Sequence, residues 1–467
     1  MSLTDLPVVV IGAGPVGLAA AAHLLARDLN PLVIEAGNQA GASISQWGHV
    51  SMFSPWEYNV DKEAAKLLAA TGWEAPRPDT YPTGRELLDR YLLPLAALPL
   101  IRERTRLNTR VLAVTKSGAD ALKTKGRTAS PFLVRIAGPN GEQDILARAV
   151  VDASGTYETP NWMGASGIPA LGELEASAHI AYGIPDVTGG ARERYVGRRV
   201  LVVGGGHSAF NALQDLVGLP GTKVFWGIRG HSLEKILGGG ANDKLAERGN
   251  LGLRIRALLE QEKITLFQGI SINRVDTTGQ GLVVHSNGET LPEVDEIIVA
   301  TGFRPNLQLL GELRLAIDPA TQAPTQLAPL IDPNEHSCGT VRPHGIDELS
   351  HPDEGIFIVG MKSYGRAPTF LMLTGYEQVR SVAAGLAGDW EAARRVELEL
   401  PETGVCSLSS KSRSSRRVAV HPQHRRRPVA VVRKSLPLQL WPRNRPAAHQ
   451  RVAHKNSFPI DASPACP

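Results

Sequence analysis

Two stretches of this 467-residue chain repeat one hydrophobic pattern. "PVVVIGAG" is a continuous apolar run closed by glycines, as a parallel strand buried on both faces requires. It leads into "PVGLAAAAHLLARDL", rich in the good helix formers alanine and leucine, and then into a second apolar strand, "NPLVIEAG". Near Tyr195 the pattern restarts as "RRVLVVGGGHSAFNALQDL" followed by "KVFWGIRG". Between the two units, "WGHVSMFSPWEYNV" reads as an aromatic loop. Helices are expected at "DKEAAKLLAATG" and "GRELLDRYLLPLAAL", and strands at "RVLAVTKS", "PFLVRIAG" and "ARAVVDASG". Beyond the second unit, "RIRALLEQEKITLF", "VVHSNGETL" and "VDEIIVATGFRPN" continue the α/β alternation. "EGIFIVGMKSYGRAPTFLMLTGYEQVRSVAAGLAGD" reads as strand, loop and helix.

The glycines between strand and helix carry the chemistry. Gly12, Gly14 and Gly17 fit G-x-G-x-x-G, with Pro15 opening the helix. The first glycine permits the tight turn, the second lets backbone approach a pyrophosphate, and the third lets helix pack on strand. An anion then sits at the helix N-terminus. Glu35 ends the next strand, where a carboxylate can accept from ribose hydroxyls. The second loop offers Gly204 and Gly206, then His207 and Ser208, with Ala209 at the packing position. Its following strand leads to Arg229 in place of an acid, and a guanidinium can bind a 2′-phosphate. The first loop is therefore read as binding FAD and the second as binding NADPH.

Charge and cysteine usage narrow the class. From Ser407 onward there are 13 Lys and Arg against a single Asp, while the preceding residues hold 37 basic against 45 acidic side chains. The body is acidic and the tail basic, so the net +4 gives no reason to expect nucleic-acid binding. Cys338, Cys406 and Cys466 are far apart and form no CxxC, so neither a disulfide framework nor a neighbouring redox dithiol is expected. No apolar run is long enough for a membrane span, and a cytoplasmic protein is expected. The Arg-, Ser- and Pro-rich residues 407–467 read as a disordered tail, or as out-of-frame translation of GC-rich DNA. "LPETG" matches a sortase signal by letter but lacks its hydrophobic and secretory context.

Further motifs carry a resemblance. "VVDASGTYETPNW", containing Gly155, and "IIVATGFRPN", containing Gly302, resemble the paired A-T-G segments of two-dinucleotide-binding-domain flavoproteins. "EGIFIVG", ending at Gly360, resembles their late FAD strand, although Met361 stands where an Asp usually follows. The missing CxxC and the lead-in "HIAYGIPDVTGG" are more similar to the flavin-containing monooxygenase branch. "WGHVSMFSPWEYNVD", "SCGTVRPHG", "GMKSYGRAPTFLMLTGYEQVRS" and "LPETGVCS" look closest to flavoprotein monooxygenases of bacterial arsenic-resistance operons.

That resemblance implies an α/β fold of two Rossmann-like three-layer ββα domains. An FAD domain (1–170 and 301–406) would carry an inserted NADPH domain (171–300), followed by the tail 407–467. It implies that NADPH reduces FAD, that O₂ is captured as a C4a-(hydro)peroxide, and that a soft nucleophile takes one oxygen. The partners would be a small-molecule substrate and O₂. Trp47 is a candidate wall of the flavin, and Asn59 or Asn161 a candidate hydrogen-bond donor to the peroxide. Arg304 is expected at the domain junction near NADPH. Thr374 would open a helix facing the flavin. Cys338 is a weak candidate for a thiophilic substrate. A plain reductase serving a quinone, ferredoxin or disulfide partner is the alternative, and a non-catalytic redox sensor a third reading.

Overall fold

In the computed structural model, residues 2–238, 245–335, 341–367 and 370–398 are described. All three cysteines, "LPETG" and the segment 407–467 lie outside the described residues.

Two parallel five-stranded sheets organise the chain. The first runs in the order Ile356–Ile358, Ala149–Asp152, Val8–Ile11, Pro31–Ile34, Thr105–Arg106. Val8 pairs with Pro31 on one side and Ala149 on the other. The two-residue side-chain period then sorts the central strand. Val8 and Val10 face a core built with helices Pro15–Leu25 and Met372–Leu386. Val9 and Ile11 face a second core with Val114, Phe132, Val134 and Ile136. Those residues belong to an antiparallel sheet of Arg110–Lys116, Phe132–Gly138 and Gly141–Ala147.

The second sheet repeats the plan, in the order Ile264–Phe267, Lys223–Gly227, Arg199–Val203, Glu296–Val299, Ile180–Tyr182. Val200 and Val202 pack toward helices His207–Val217 and Ala246–Glu260 through Phe210, Leu213 and Ile255. Leu201 and Val203 pack toward Val275 and Val284 of a small antiparallel sheet. Each half is thus three layers, sheet on sheet on helix, and the fold is the α/β double Rossmann-like arrangement expected from the sequence.

The chain passes between the two sheets twice, and the two crossings run antiparallel, with Pro160 bridged to Phe303. Met163 and Ala170 already pack in the core of the second sheet. The first crossing therefore ends near residue 162, earlier than the expected boundary at 170. Glu173 fixes this segment, accepting from the amides of Met163 (2.9 Å) and Ala170 (2.7 Å) and from the Tyr182 hydroxyl (2.6 Å).

Candidate active site: two dinucleotide cradles and their crossing

At the end of strand Val8–Ile11 the three glycines of the first loop do three different things. Gly12 has φ +96°, and a Cβ there would lie 2.9 Å from the Ala153 carbonyl oxygen. A Cβ on Gly17 would sit 1.9 Å from the Gly12 carbonyl oxygen, so helix and strand meet only without a side chain. Gly14 is the opposite case. It is the helix N-cap in extended backbone, and nothing lies within 4 Å of an added Cβ. No described side chain caps this helix. An open N-terminus with room for close backbone approach fits a pyrophosphate.

Glu35 does more than await a ribose. Its carboxylate accepts from the amides of Ala13 and Gly37, both at 2.7 Å, bracing the glycine loop on its neighbour. A carboxylate has about four acceptor sites, so capacity for ribose hydroxyls remains. Gly155, at φ +70°, also has open space around an added Cβ.

The far wall of this cradle comes from the late strand. Gly360 has φ +67°, and a Cβ on it would come 3.2 Å from Val16, the second residue of the loop helix. Gly375 approaches the same valine even more closely. Thr374 is the third residue of helix Met372–Leu386, buried and hydrogen-bonded to Tyr364, whose hydroxyl burial pushes up in pKa. The Trp47 ring lies over Gly84, where a Cβ would be 2.7 Å from the indole.

Asn59 is corrected by its surroundings. It is wholly buried, and its amide donates to the carbonyls of Ser54 and Pro55, both at 2.8 Å. Its oxygen accepts from the Ser54 hydroxyl at 3.0 Å. That amide is committed to fixing the 54–59 turn, which removes it as a donor to an oxygen intermediate.

One charged pair escaped the sequence reading. Lys362, 1% exposed, reaches Asp152 Oδ2 at 2.6 Å and Ser154 Oγ at 2.9 Å, and Asp152 is fully buried. The pair joins the end of strand Ala149–Asp152 to the turn Gly360–Tyr364, directly behind the first glycine loop. Lys362 follows the Met361 that breaks the expected pattern. That departure was the only signal available, and it did not say where the ammonium would go.

The second cradle copies the first. Gly204 has φ +138°, and its Cβ would be 2.3 Å from the Ala300 carbonyl oxygen. Gly206 is the N-cap, with nothing within 4 Å of an added Cβ. Ala209 is wholly buried at the packing position. His207 and Ser208 open the helix, and the His207 ring lies 5.2 Å from Phe53 of the aromatic loop. Arg229 is exposed beyond strand Lys223–Gly227 and pairs with no described residue.

Asn161 and Arg304 meet at the crossing. Arg304 Nε donates to Asn161 Oδ1 at 2.8 Å, and the Asn161 amide donates to the carbonyl oxygens of Thr301 (3.1 Å) and Phe303 (3.4 Å). Asn161 N also donates to the Gly302 carbonyl at 2.9 Å, where Gly302 turns at φ +84°. Tyr157 stacks on Phe303 with ring centroids 5.0 Å apart. Burial, then the nearby Arg366, lowers the Arg304 pKa. The expected pair of catalytic candidates is brought together, but by locking the two crossings to each other. Among the described residues no His, Cys, Asp and Glu group could hold a metal, and no helix is long and apolar enough to cross a membrane.

Known proteins are similar to this chain in sequence and in fold. Bacilliredoxin reductase Bdr of Bacillus subtilis is 23% identical over 68% of this chain and 82% of its own length. Indole-3-pyruvate monooxygenase YUCCA1 of rice (Oryza sativa subsp. japonica) is 28% identical, but the match spans 44% of each chain. Flavin-containing monooxygenase FMO GS-OX3 of Arabidopsis thaliana is 24% identical over 67% of this chain and 64% of its own. Among solved structures, bacillithiol disulfide reductase Bdr from Bacillus cereus superposes with a TM-score of 0.62 at 23% identity, covering 82% of this chain and 99% of that one. The cadaverine monooxygenase DfoA of Erwinia amylovora superposes with a TM-score of 0.58 at 15% identity, covering 84% and 97%. The family model for pyridine nucleotide-disulphide oxidoreductases matches residues 9–337, and with two nucleotide cradles of matching geometry on one chain, the protein is an oxidoreductase belonging to that family.

Proposed function

We propose that this chain is an FAD-containing, NADPH-dependent monooxygenase acting on a small soft nucleophile. FAD occupies the first cradle and NADPH the second. When bound, FAD accepts hydride from NADPH and passes the electrons to O₂. The balanced reaction consumes NADPH, a proton, O₂ and substrate, and yields NADP⁺, water and the mono-oxygenated product.

The observation that carries the reading is the contact of Phe53 with His207. The aromatic loop of the first half reaches the helix start where NADPH phosphates would rest, and in this reading it covers the space between the cradles. A covered site is what oxygen transfer needs, because water diverts it to peroxide release. Glu35 and Lys362 hold the walls of the first cradle, while Asn161 and Arg304 fix the orientation of the halves. Trp47 walls the aromatic side. The sequence has no CxxC to accept electrons beside the flavin.

Trivalent arsenic is one member of the proposed substrate class, on the strength of the segment 360–381 and its likeness to arsenic-operon flavoproteins. The likeness to Bdr favours a second reading, a flavoprotein reductase that passes electrons to a disulfide, quinone or ferredoxin partner.

The two separate in a labelling experiment with ¹⁸O₂ and NADPH, offering a thioether, a tertiary amine and arsenite in turn. The monooxygenase reading predicts ¹⁸O in the product of at least one. Quantitative H₂O₂ with all three, alongside rapid NADPH-dependent reduction of a disulfide or quinone, would select the reductase.

A further inference from the structure

Behind the first cradle lies a hydrogen-bond chain with only one consistent assignment of protons. The Gly360 amide donates to Gln378 Oε1 at 2.7 Å, which fixes the orientation of the Gln378 amide. Its NH₂ group therefore faces Ser363 Oγ at 2.9 Å and His344 Nε2 at 2.9 Å. Ser363 Oγ donates onward to the Gly360 carbonyl at 2.7 Å. His344 Nδ1 is 3.1 Å from the Arg342 carbonyl oxygen, which can only accept. So Nδ1 carries the proton and Nε2 is the acceptor. Gln378 and Ser363 are fully buried and His344 is 3% exposed, so an unmatched donor here has no water to turn to.

We infer that His344 is a positioning residue for FAD. Its neutral Nδ1–H tautomer holds Gln378 in the one orientation that fixes the Gly360 turn against the loop helix. The turn matters because Gly360 touches Val16 at the helix start and Lys362, two residues on, is tied to Asp152 behind the glycine loop. A second proton on His344 would set an N–H against the Gln378 NH₂. Gln378 would then have to flip and abandon the Gly360 amide.

The surroundings suit the neutral form. Burial lowers the His344 pKa most, and Arg342 adds to that, while the bond to the Arg342 carbonyl and the charges of Glu348 and Glu377 oppose it. The Tyr364 ring packs 5.6 Å away.

This inference rests on FAD in the first cradle and not on the fate of the oxygen. The test is FAD titration of the full-length apoprotein, with apoprotein melting recorded alongside. Gln can place an acceptor where Nε2 stands, and Leu cannot. His344→Leu should weaken FAD binding about tenfold, the loss of one buried hydrogen bond, while His344→Gln stays near the parent. In parallel, parent affinity should hold from pH 8 to 6.5 and fall as pH drops below the ordinary imidazole value of 6.5, and that of His344→Gln should fall less. Equal affinities for Leu and Gln variants would overturn the inference. If the Leu variant fails to fold, the pH comparison decides, and identical pH profiles for parent and His344→Gln would overturn it. Loss of oxygenation with all FAD titrations as expected would instead count against the monooxygenase reading alone.

Discussion

At Gly14 and Gly206 nothing lies within 4 Å of an added Cβ, so the chain itself leaves room for a side chain there. Both have backbone angles open to alanine. Gly14→Ala should therefore leave apoprotein melting unchanged and weaken FAD, whereas Gly206→Ala should raise KM for NADPH with FAD content intact. Calorimetry and flavin absorbance of the purified variants would check both. Arg229→Ala should raise KM for NADPH about tenfold and leave KM for NADH unchanged, since one charge-assisted phosphate contact is lost. Lys362→Met is the harsh change. It strands the Asp152 carboxylate in the core, at about 3–5 kcal/mol, and urea unfolding should show that Asp152→Asn in the same chain restores part of it. His351 supplies a pH dependence. Buried, with Nδ1 accepting from Ala316 N at 3.3 Å, it is lowered from 6.5 to about 4 by burial. The unfolded chain then binds the extra proton more readily between pH 6.5 and 4, so stability is full above pH 6.5 and falls as pH drops. The whole effect is about 3 kcal/mol. Urea midpoints of parent and His351→Gln across pH 4–7 should converge toward pH 4 if this holds.

At the scale of elements, the cradles were legible because their signals are local. A strand, three spaced glycines and a helix occupy consecutive residues, and the two-residue period placed Val8 and Val10 opposite Val9 and Ile11. Strand Gly141–Ala147 was missed because its outer residues are polar and exposed, leaving no apolar alternation to see. The crossing was placed late because Glu173, a charge, is what ties residues 163–170 to the second half. His344, Gln378, Lys362 and Asp152 were illegible for a related reason. Each is a polar residue whose partner is distant in sequence, up to 210 positions apart for Lys362 and Asp152. Asn59 and Asn161 were picked as hydrogen-bond donors to an oxygen intermediate, and the structure turns both toward backbone carbonyls.

At the scale of the whole molecule, the crossings and the aromatic loop both join the two halves among the described residues. The antiparallel crossings bind at Asn161 and Arg304. The aromatic loop spans separately, with Phe53 on His207 and His49 close enough to Asp215, on the same helix, to offset part of that carboxyl's burial. In the proposed monooxygenase, this double attachment would hold reductant and flavin together and keep water out. Stopped-flow spectroscopy tests that claim most directly: the holoenzyme is reduced by NADPH without oxygen, then mixed with O₂ in the presence or absence of a soft nucleophile. The account predicts a persistent absorbing species, distinct from both oxidised and reduced flavin, that decays faster when a thioether, amine or arsenite is added. A single-phase return to oxidised flavin, indifferent to every nucleophile and releasing one H₂O₂ per NADPH, would contradict it.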